Sequence, residues 1–319
     1  MLARLERELP VGDYDYEPKW DGFRAVVVRG GDEVELWSRN GRRLARYFPE
    51  LTGALVTLPD ERFVLDAEIV VVAGGAFDFA ALLARLHPAS SRVERLRRET
   101  PAVLIAFDLM SRGDQSLIAQ PFAERRRALE QLFEGTRSPL HVTPMTTDAA
   151  IAAGWLDAGG GIDGVVAKRR DLPYTPGKRT MIKVKRERTA DCVVAGFRWH
   201  YAEQAVGSLL LGLYDGPILR HVGLAASFTS TQRARLLDDI APYICDIEGH
   251  PWAEGFELAG GPVGRLPGVA SRWAEGGRLT WVPLRPELVC EVSYEHFHHD
   301  RFRHPPRFRR WRDDRDPRS

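Results

Sequence analysis

Residues 17 to 28 read EPKWDGFRAVVV and set one lysine, Lys19, between a proline and a Trp-Asp-Gly turn that runs into an apolar strand. A lysine becomes a covalent catalyst when its amine is neutral often enough to attack, which partial burial or nearby cations promote. The chain supplies such cations elsewhere. MIKVKR holds Lys183 and Lys185 two apart, so a strand there presents both on one face, and Lys168 ends the run DGVVAK. Carboxylates suited to an oxygen-ligand metal accompany them: Asp66 and Glu68 share a face of LDAEI, and Asp163 opens the DGVVAK run. Lysines, carboxylates and a glycine turn together describe a triphosphate and Mg2+ site. Hydride and acyl transfer fit poorly, because no GxGxxG follows a strand and no GxSxG occurs.

Working outward, 319 residues exceed one typical domain of roughly 100 to 200, so two domains are expected. Lys+Arg 45 against Asp+Glu 44 leave a net charge of +1, which names no partner. Cys192, Cys245 and Cys290 are far apart in sequence and lack CxxC spacing, which argues for buried thiols in a reducing compartment and against a disulfide framework or zinc site. No apolar run approaches membrane-spanning length, and a soluble cytoplasmic protein is expected.

Short Val/Ile-rich runs bounded by turn residues predict strands at 24–30, 33–38, 63–72, 102–110 and 163–169. Helical spacing in DFAALLARL and in PFAERRRALEQLF, whose proline suits a first turn, makes this part a mixed α+β domain. From about residue 189 the texture changes to DCVVAGFRW, GSLLLGLYDGPILRHVG, RLTWVP and ELVCEVSYEHF, with a helix around 229 to 241, which suggests a small β-barrel. The join falls near Arg188. PVGRLPGVA at 262 to 270 reads as a surface loop, and EHFHHD at 295 to 300 as a surface histidine cluster more than a metal site. The tail, 301 to 315, carries seven arginines against two aspartates.

KWDGFR at 19 to 24 resembles the KxDGxR motif of the covalent nucleotidyltransferases: DNA ligases, RNA ligases and mRNA capping enzymes. Further matches follow in order along the chain: SRNG (38–41), DAEIV (66–70), FDLM (107–110), DGVVAKR (163–169), IKVK (182–185) and RFRRWRDDR (307–315). EPKWDGFR, GVVAKR and RPELVCEV look like bacterial ATP-dependent DNA ligases, especially the short ligase C type. The fold this implies is α+β, a nucleotidyltransferase (adenylation) domain over 1–188 followed by an OB-fold β-barrel over 189–319 with a C-terminal basic motif.

The resemblance implies that Lys19 attacks the α-phosphorus of ATP to form a lysyl-AMP adduct. It implies that Glu17 and Pro18 seat the adenine, Phe107 stacks on it, Arg24 and Glu68 reach the ribose, and Lys168 belongs to the same nucleotide site. Lys183 and Lys185 grip the α-phosphate. Arg39 holds the nick 5'-phosphate, a task suited to its bidentate fork. Arg310 and Arg312 orient the leaving pyrophosphate, with Arg315 in the place of a lysine. Glu68 and Asp163 serve Mg2+ or Mn2+, although Asp163 is one methylene shorter than the glutamate that ligases commonly carry. Asp21 joins the catalytic set, yet Asp21 and Asp66 read equally as turn or ion-pair residues. Met181 replaces a tryptophan often found before the lysine pair. Only 18 residues precede Lys19, so the amino-terminal DNA-binding domain of larger ligases is expected to be absent. A monomer acting on nicked duplex DNA at the nucleoid, aided by a repair polymerase or end-joining protein, is the expected setting. The same lysine would serve an RNA ligase or a capping guanylyltransferase, and a binding module that has lost catalysis is the reading from another class.

Overall fold

The computed structural model describes residues 1–158, 161–201, 204–253, 281–295, 297–298 and 300–319, without the side chain of His298. The loop at 262 to 270, the start of RLTWVP, and the His296 and His298 side chains therefore lie outside the described residues. The chain divides into two compact units, Met1–Arg186 and Glu187–Ser319.

The first unit runs β1 (Leu2–Glu6), β2 (Tyr14–Trp20), β3 (Phe23–Gly30), β4 (Glu33–Ser38), α1 (Pro49–Leu55), β5 (Arg62–Ala73), β6 (Ala76–Phe77), α2 (Phe79–Ala84) and α3 (Ser90–Glu99). It continues through β7 (Ala102–Arg112), β8 (Gln115–Ser116), α4 (Phe122–Leu132), β9 (Leu140–Val142), α5 (Ala149–Asp157), β10 (Ile162–Arg169) and β11 (Arg179–Val184). One sheet has the order β4-β3-β5-β7-β8, with β6 on β5 and β9 on β7; the other has the order β1-β11-β10-β2. Alternation decides which faces are buried. Phe63, Leu65, Ala67, Ile69 and Val71 of β5 point into the main core beside Ala25 and Val27 of β3, which leaves Asp66 and Glu68 on the opposite face.

The corner between β2 and β3 carries the chain from one sheet to the other. A Cβ on Gly22 would stand 2.2 Å from the Ile69 carbonyl oxygen, so only glycine lets the corner lie against β5. Gly164 is needed for a similar reason. Its φ is +141°, and a Cβ there would meet the Val184 oxygen at 2.2 Å, beside the lysine pair.

The second unit comprises β12 (Arg188–Trp199), β13 (Val206–Asp215), β14 (Ile218–Ala225), α6 (Ser230–Ile240), β15 (Val282–Tyr294), β16 (Phe297–His298), β17 (Arg301–Phe302) and β18 (Arg307–Trp311). Its main sheet is β14-β13-β12-β15-β18, antiparallel throughout, and β16 with β17 forms a separate hairpin. Thr229 and Gln232 cap α6 reciprocally, and Leu236 and Ile240 seat it on the core. Cys192 and Cys290 face each other across β12 and β15; both are buried free thiols, while Cys245 is half-buried.

His221 of β14 makes this unit acid-sensitive. It is 1% exposed, and burial, reinforced by Arg301 and Arg198, pushes its imidazole down to about 4. An unfolded histidine takes up its proton near pH 6.5, so between about 6.5 and 4 the unfolded chain binds a proton that the folded chain refuses. The stabilisation is complete above that window and is lost as pH falls through it, by about 3 kcal/mol at the acid limit. Urea unfolding at pH 7 and 4.5 should show this loss in the wild type and a much smaller one in His221→Phe. An equal loss in both proteins would assign the acid sensitivity elsewhere.

Candidate active site

Lys19 is the penultimate residue of β2, so it belongs to a strand and not to the turn that follows. The Asp21 amide donates to the Gly161 carbonyl at 3.3 Å, and the Gly22 amide donates to Glu68 Oε1 at 3.1 Å. These bonds hold the corner against its surroundings and leave the Lys19 side chain about a quarter exposed. Its Nζ lies 2.5 Å from Asp163 Oδ2, and Lys185 Nζ lies 2.9 Å from the same oxygen. One carboxylate therefore gathers the two amines that the sequence places far apart.

Lys19 opens on a cavity of about 560 Å3 whose wall includes Glu17, Pro18, Arg24, Glu68 and Lys183. Phe107, Lys168 and Arg39 line it as well. That volume suits a nucleotide. Phe107 follows Ile105 by two residues, and Ile105 pairs with Glu68, so alternation puts the Phe107 ring on the cavity face. The β5–β7 register then passes from Ala67↔Ala106 to Asp66↔Asp108, a bulge that leaves Phe107 without a strand partner and brings Asp108 opposite Asp66. Arg24 lies over the Phe107 ring at 5.8 Å and Lys168 at 5.1 Å.

Two buried ionic groups stand behind the cavity. Arg24 donates from Nε to Asp66 Oδ1 at 2.9 Å and from Nη2 to Asp66 Oδ2 at 2.5 Å, and the Tyr174 hydroxyl donates to Oδ2 at 2.8 Å. Of the two readings left open for Asp66, the structure shows the ion pair. Glu17 lies between Lys168 Nζ at 2.7 Å and Arg126 Nη1 at 3.1 Å, and Lys168 also donates to the Phe107 carbonyl at 2.8 Å. Burial raises the Glu17 carboxyl above its ordinary range, and the two cations oppose that rise. Burial likewise pushes Glu68 up to about 8, against the pull of Lys19 and the Gly22 amide.

Arg39 lies exposed in the turn after β4, where the Gly41 amide donates to the Ser38 carbonyl at 2.9 Å and the Arg42 amide to Ser38 Oγ at 3.0 Å. Met181 packs with Met1, Met110 and Tyr174. Arg310 and Arg312 belong to the second unit. Arg310 bonds Glu291 at 2.8 Å, and Arg312 bonds Asp191 at 3.0 Å and Asp314 at 2.8 Å. Sequence reasoning passed over Arg126, Tyr174, and the buried pair of Arg125 with Asp108 at 2.7 Å. A signal existed for the arginines. Phe122, Leu129 and Leu132 define the buried stripe of α4, and Arg125 and Arg126 fall on it, which requires buried acceptors.

The description "ATP dependent DNA ligase domain" matches residues 5–185, and "ATP dependent DNA ligase C terminal region" matches residues 202–315. DNA ligase C2 of Mycolicibacterium smegmatis is 48% identical over 324 residues, covering 100% of this chain and 91% of the relative. DNA ligase C of Mycobacterium tuberculosis is 48% identical over 328 residues with the same coverage. The multifunctional non-homologous end joining protein LigD of Mycobacterium bovis is 30% identical over 291 residues, covering 90% of this chain and 34% of that one. A solved Lig E DNA ligase matches with TM-score 0.56 and 18% identity over 98% of each chain, which shows a shared fold. With an α+β first unit that holds the lysine-centred cavity and an OB-fold barrel after it, the chain belongs to the ATP-dependent DNA ligases.

Proposed function

We propose that Lys19 carries AMP in a three-step sealing of nicked duplex DNA, with residues 1–188 as the adenylation domain and 189–319 as the OB-fold domain. The observation that carries this reading is the contact of Lys19 with Asp163 at the wall of a nucleotide-sized cavity. In the first step the Lys19 amine bonds the α-phosphorus of ATP while the bond to pyrophosphate breaks. Asp163 Oδ2 is the nearest acceptor for a Lys19 proton. Lys183 and Lys185 hold the phosphate and offset the charge that develops on it. Phe107 offers a face to adenine, Glu17 and Pro18 bound the base, and Glu68 with Arg24 borders the ribose; Lys168 holds Glu17 and the Phe107 carbonyl in place.

Arg310 and Arg312 orient pyrophosphate as it leaves. Arg39 receives the 5'-phosphate of the nick, AMP passes to it, and the 3'-hydroxyl then displaces AMP. Asp21 shapes the corner that aims Lys19. Glu68 and Asp163 carry the hard oxygen donors that would hold Mg2+ or Mn2+, which would offset phosphate charge when bound; among the described residues no group of three or more such ligands forms, so phosphate oxygens and water would complete the coordination.

Similarity to the end-joining relatives supports a role in DNA repair beside a polymerase or end-joining protein. Among the described residues no helix is long and apolar enough to cross a membrane, and we assign the protein to the bacterial cytoplasm as a monomer at the nucleoid.

Nicked duplexes with a labelled 5'-phosphate, in all-DNA form or with an RNA strand, test the reading. Sealing of the DNA nick should require ATP, stop when EDTA removes the metal, and return with Mg2+ or Mn2+. Preferential sealing of the RNA strand would favour an RNA ligase. Sealing that survives EDTA would remove the metal from the account.

A further inference from the structure

Two acids on the main sheet of the second unit are not among the residues that line the Lys19 cavity. Asp191 of β12 and Glu291 of β15 are directly opposite each other in the antiparallel pairing. Like charges in that position repel and weaken a sheet. Arginines from β18 and the turn after it offset that repulsion. Arg310 is opposite Glu291 and donates to its Oε2 at 2.8 Å, while Arg315 Nε lies 3.4 Å from Asp191 Oδ2. Arg312 Nη1 donates to both Asp191 oxygens at 3.0 Å.

Arg312 is the most closely held of the three, its side chain 12% exposed against 64% for Arg310 and 50% for Arg315. Its backbone is fixed first. The Arg312 amide donates to the Val289 carbonyl at 2.8 Å, and the Trp311 indole donates to Asp239 of α6 at 2.8 Å. The guanidinium, at the end of a long stem, is held separately by two carboxylates. Asp314 takes Nε and Nη2 at 2.8 Å each, and Asp191 takes Nη1. These two anchors differ. Asp314 belongs to the same turn, two residues on, and is mostly exposed, so it travels with Arg312 and cannot tie it to the fold. Asp191 stands on β12, which is flanked by β13 and β15, so its carboxylate refers the guanidinium to the interior of the sheet.

We propose that Asp191 is a positioning residue for the first step of the reaction, holding the Arg312 guanidinium in the orientation in which it meets the leaving pyrophosphate. The proposal rests on the assignment of Arg312 to pyrophosphate and deepens it by naming the group through which the fold controls that arginine. A phosphoryl displacement is fastest when the charge that receives the leaving group is already in place. With asparagine at 191, Arg312 and Asp314 stay paired but swing together with the turn. No pyrophosphate leaves in the two later steps, so they escape the loss.

The test uses the full chain, with single-turnover labelling by α-labelled ATP and sealing of a nick that already carries AMP on its 5'-phosphate. Asp191→Asn, nearly the same size as the native residue, should lower the maximal labelling rate about 10-fold and leave the ATP concentration for half-maximal rate within about twofold. Sealing of the activated nick should stay within about twofold of wild type. Arg312→Ala should label more slowly than Asp191→Asn, and Asp191→Asn/Arg312→Ala no more slowly than Arg312→Ala, because a residue that acts through Arg312 then has nothing to act on. A wild-type labelling rate in Asp191→Asn, or losses that multiply in the double variant, overturns the proposal. Equal losses in labelling and in sealing of the activated nick also overturn it, because Asp191 then supports the barrel as a whole. Failure of the pyrophosphate reading has a different appearance: Arg312→Ala itself would label at the wild-type rate.

Discussion

Lys19→Ala abolishes the transfer of label from α-labelled ATP to the protein, a loss of about 1,000-fold or more, because no other group on the cavity wall replaces the bond-forming amine. The fold should survive. Lys19 is partly exposed, and in the variant Asp163 keeps Lys185 at 2.9 Å. Lys19→Arg should fail equally, since a guanidinium holds its charge and attacks poorly. A nick already carrying AMP on its 5'-phosphate bypasses the lysine, so Lys19→Ala should still seal it at a measurable rate. Denaturing gels after incubation with labelled ATP decide the first claim. Persistent label in Lys19→Ala would sink the assignment of the nucleophile, and inability to seal the pre-activated nick would show that Lys19 also serves the last step.

Lys168→Met should destabilise the first unit by about 3 kcal/mol at pH 8 and by less at pH 5. Lys168 is 1% exposed, with Nζ 2.7 Å from Glu17 Oε2 and 4.4 Å from the centre of the Phe122 ring. Methionine fills most of the volume of the stem but leaves the buried Glu17 with Arg126 alone, 3.1 Å away. The Glu17 carboxyl is already raised by burial, and losing the Lys168 ammonium that opposes the rise lifts it further. Above the ordinary carboxylate range the folded variant then tends to hold a proton that the unfolded chain has released. Stability consequently falls as pH rises through that window, and acid relieves the loss. Urea unfolding at the two pH values checks the sign. Glu17→Gln added to Lys168→Met should recover a large part of the loss, because no buried charge is left unpaired. A loss independent of pH, or a double variant no better than the single, would show that the lysine acts through packing alone.

Much of this was legible in the residues. Strands β3, β4, β5, β7 and β10 announce themselves by short β-branched runs between turn residues, and their observed bounds lie within two residues of those expected. The strand carrying Lys19 was harder to see. In YDYEPKW the residues Asp15, Tyr16, Glu17 and Pro18 are all buried, so β2 shows neither apolar alternation nor the composition of a core strand. Its acids are interior because their cations come from elsewhere: Arg170 on Asp15 at 3.0 Å, and Lys168 and Arg126 on Glu17. Helices α1, α3 and α5 were passed over as well. Each is only 7 to 10 residues long, and α3 is mostly charged.

Local order alone determined that strands would form around a lysine corner, because β-branching, alternation and glycine turns act within a few residues. It also determined which chemistry the residue types could support, since lysines, paired carboxylates and arginine forks have that chemistry wherever they stand. Only the tertiary structure decided which groups meet. Asp163 reaches Lys19 across 144 residues, Arg126 reaches Glu17 across 109, and a bulge that exists only in the pairing of β5 with β7 brings Asp108 opposite Asp66. Register and burial arise from contacts between distant segments, and no window of sequence contains both partners.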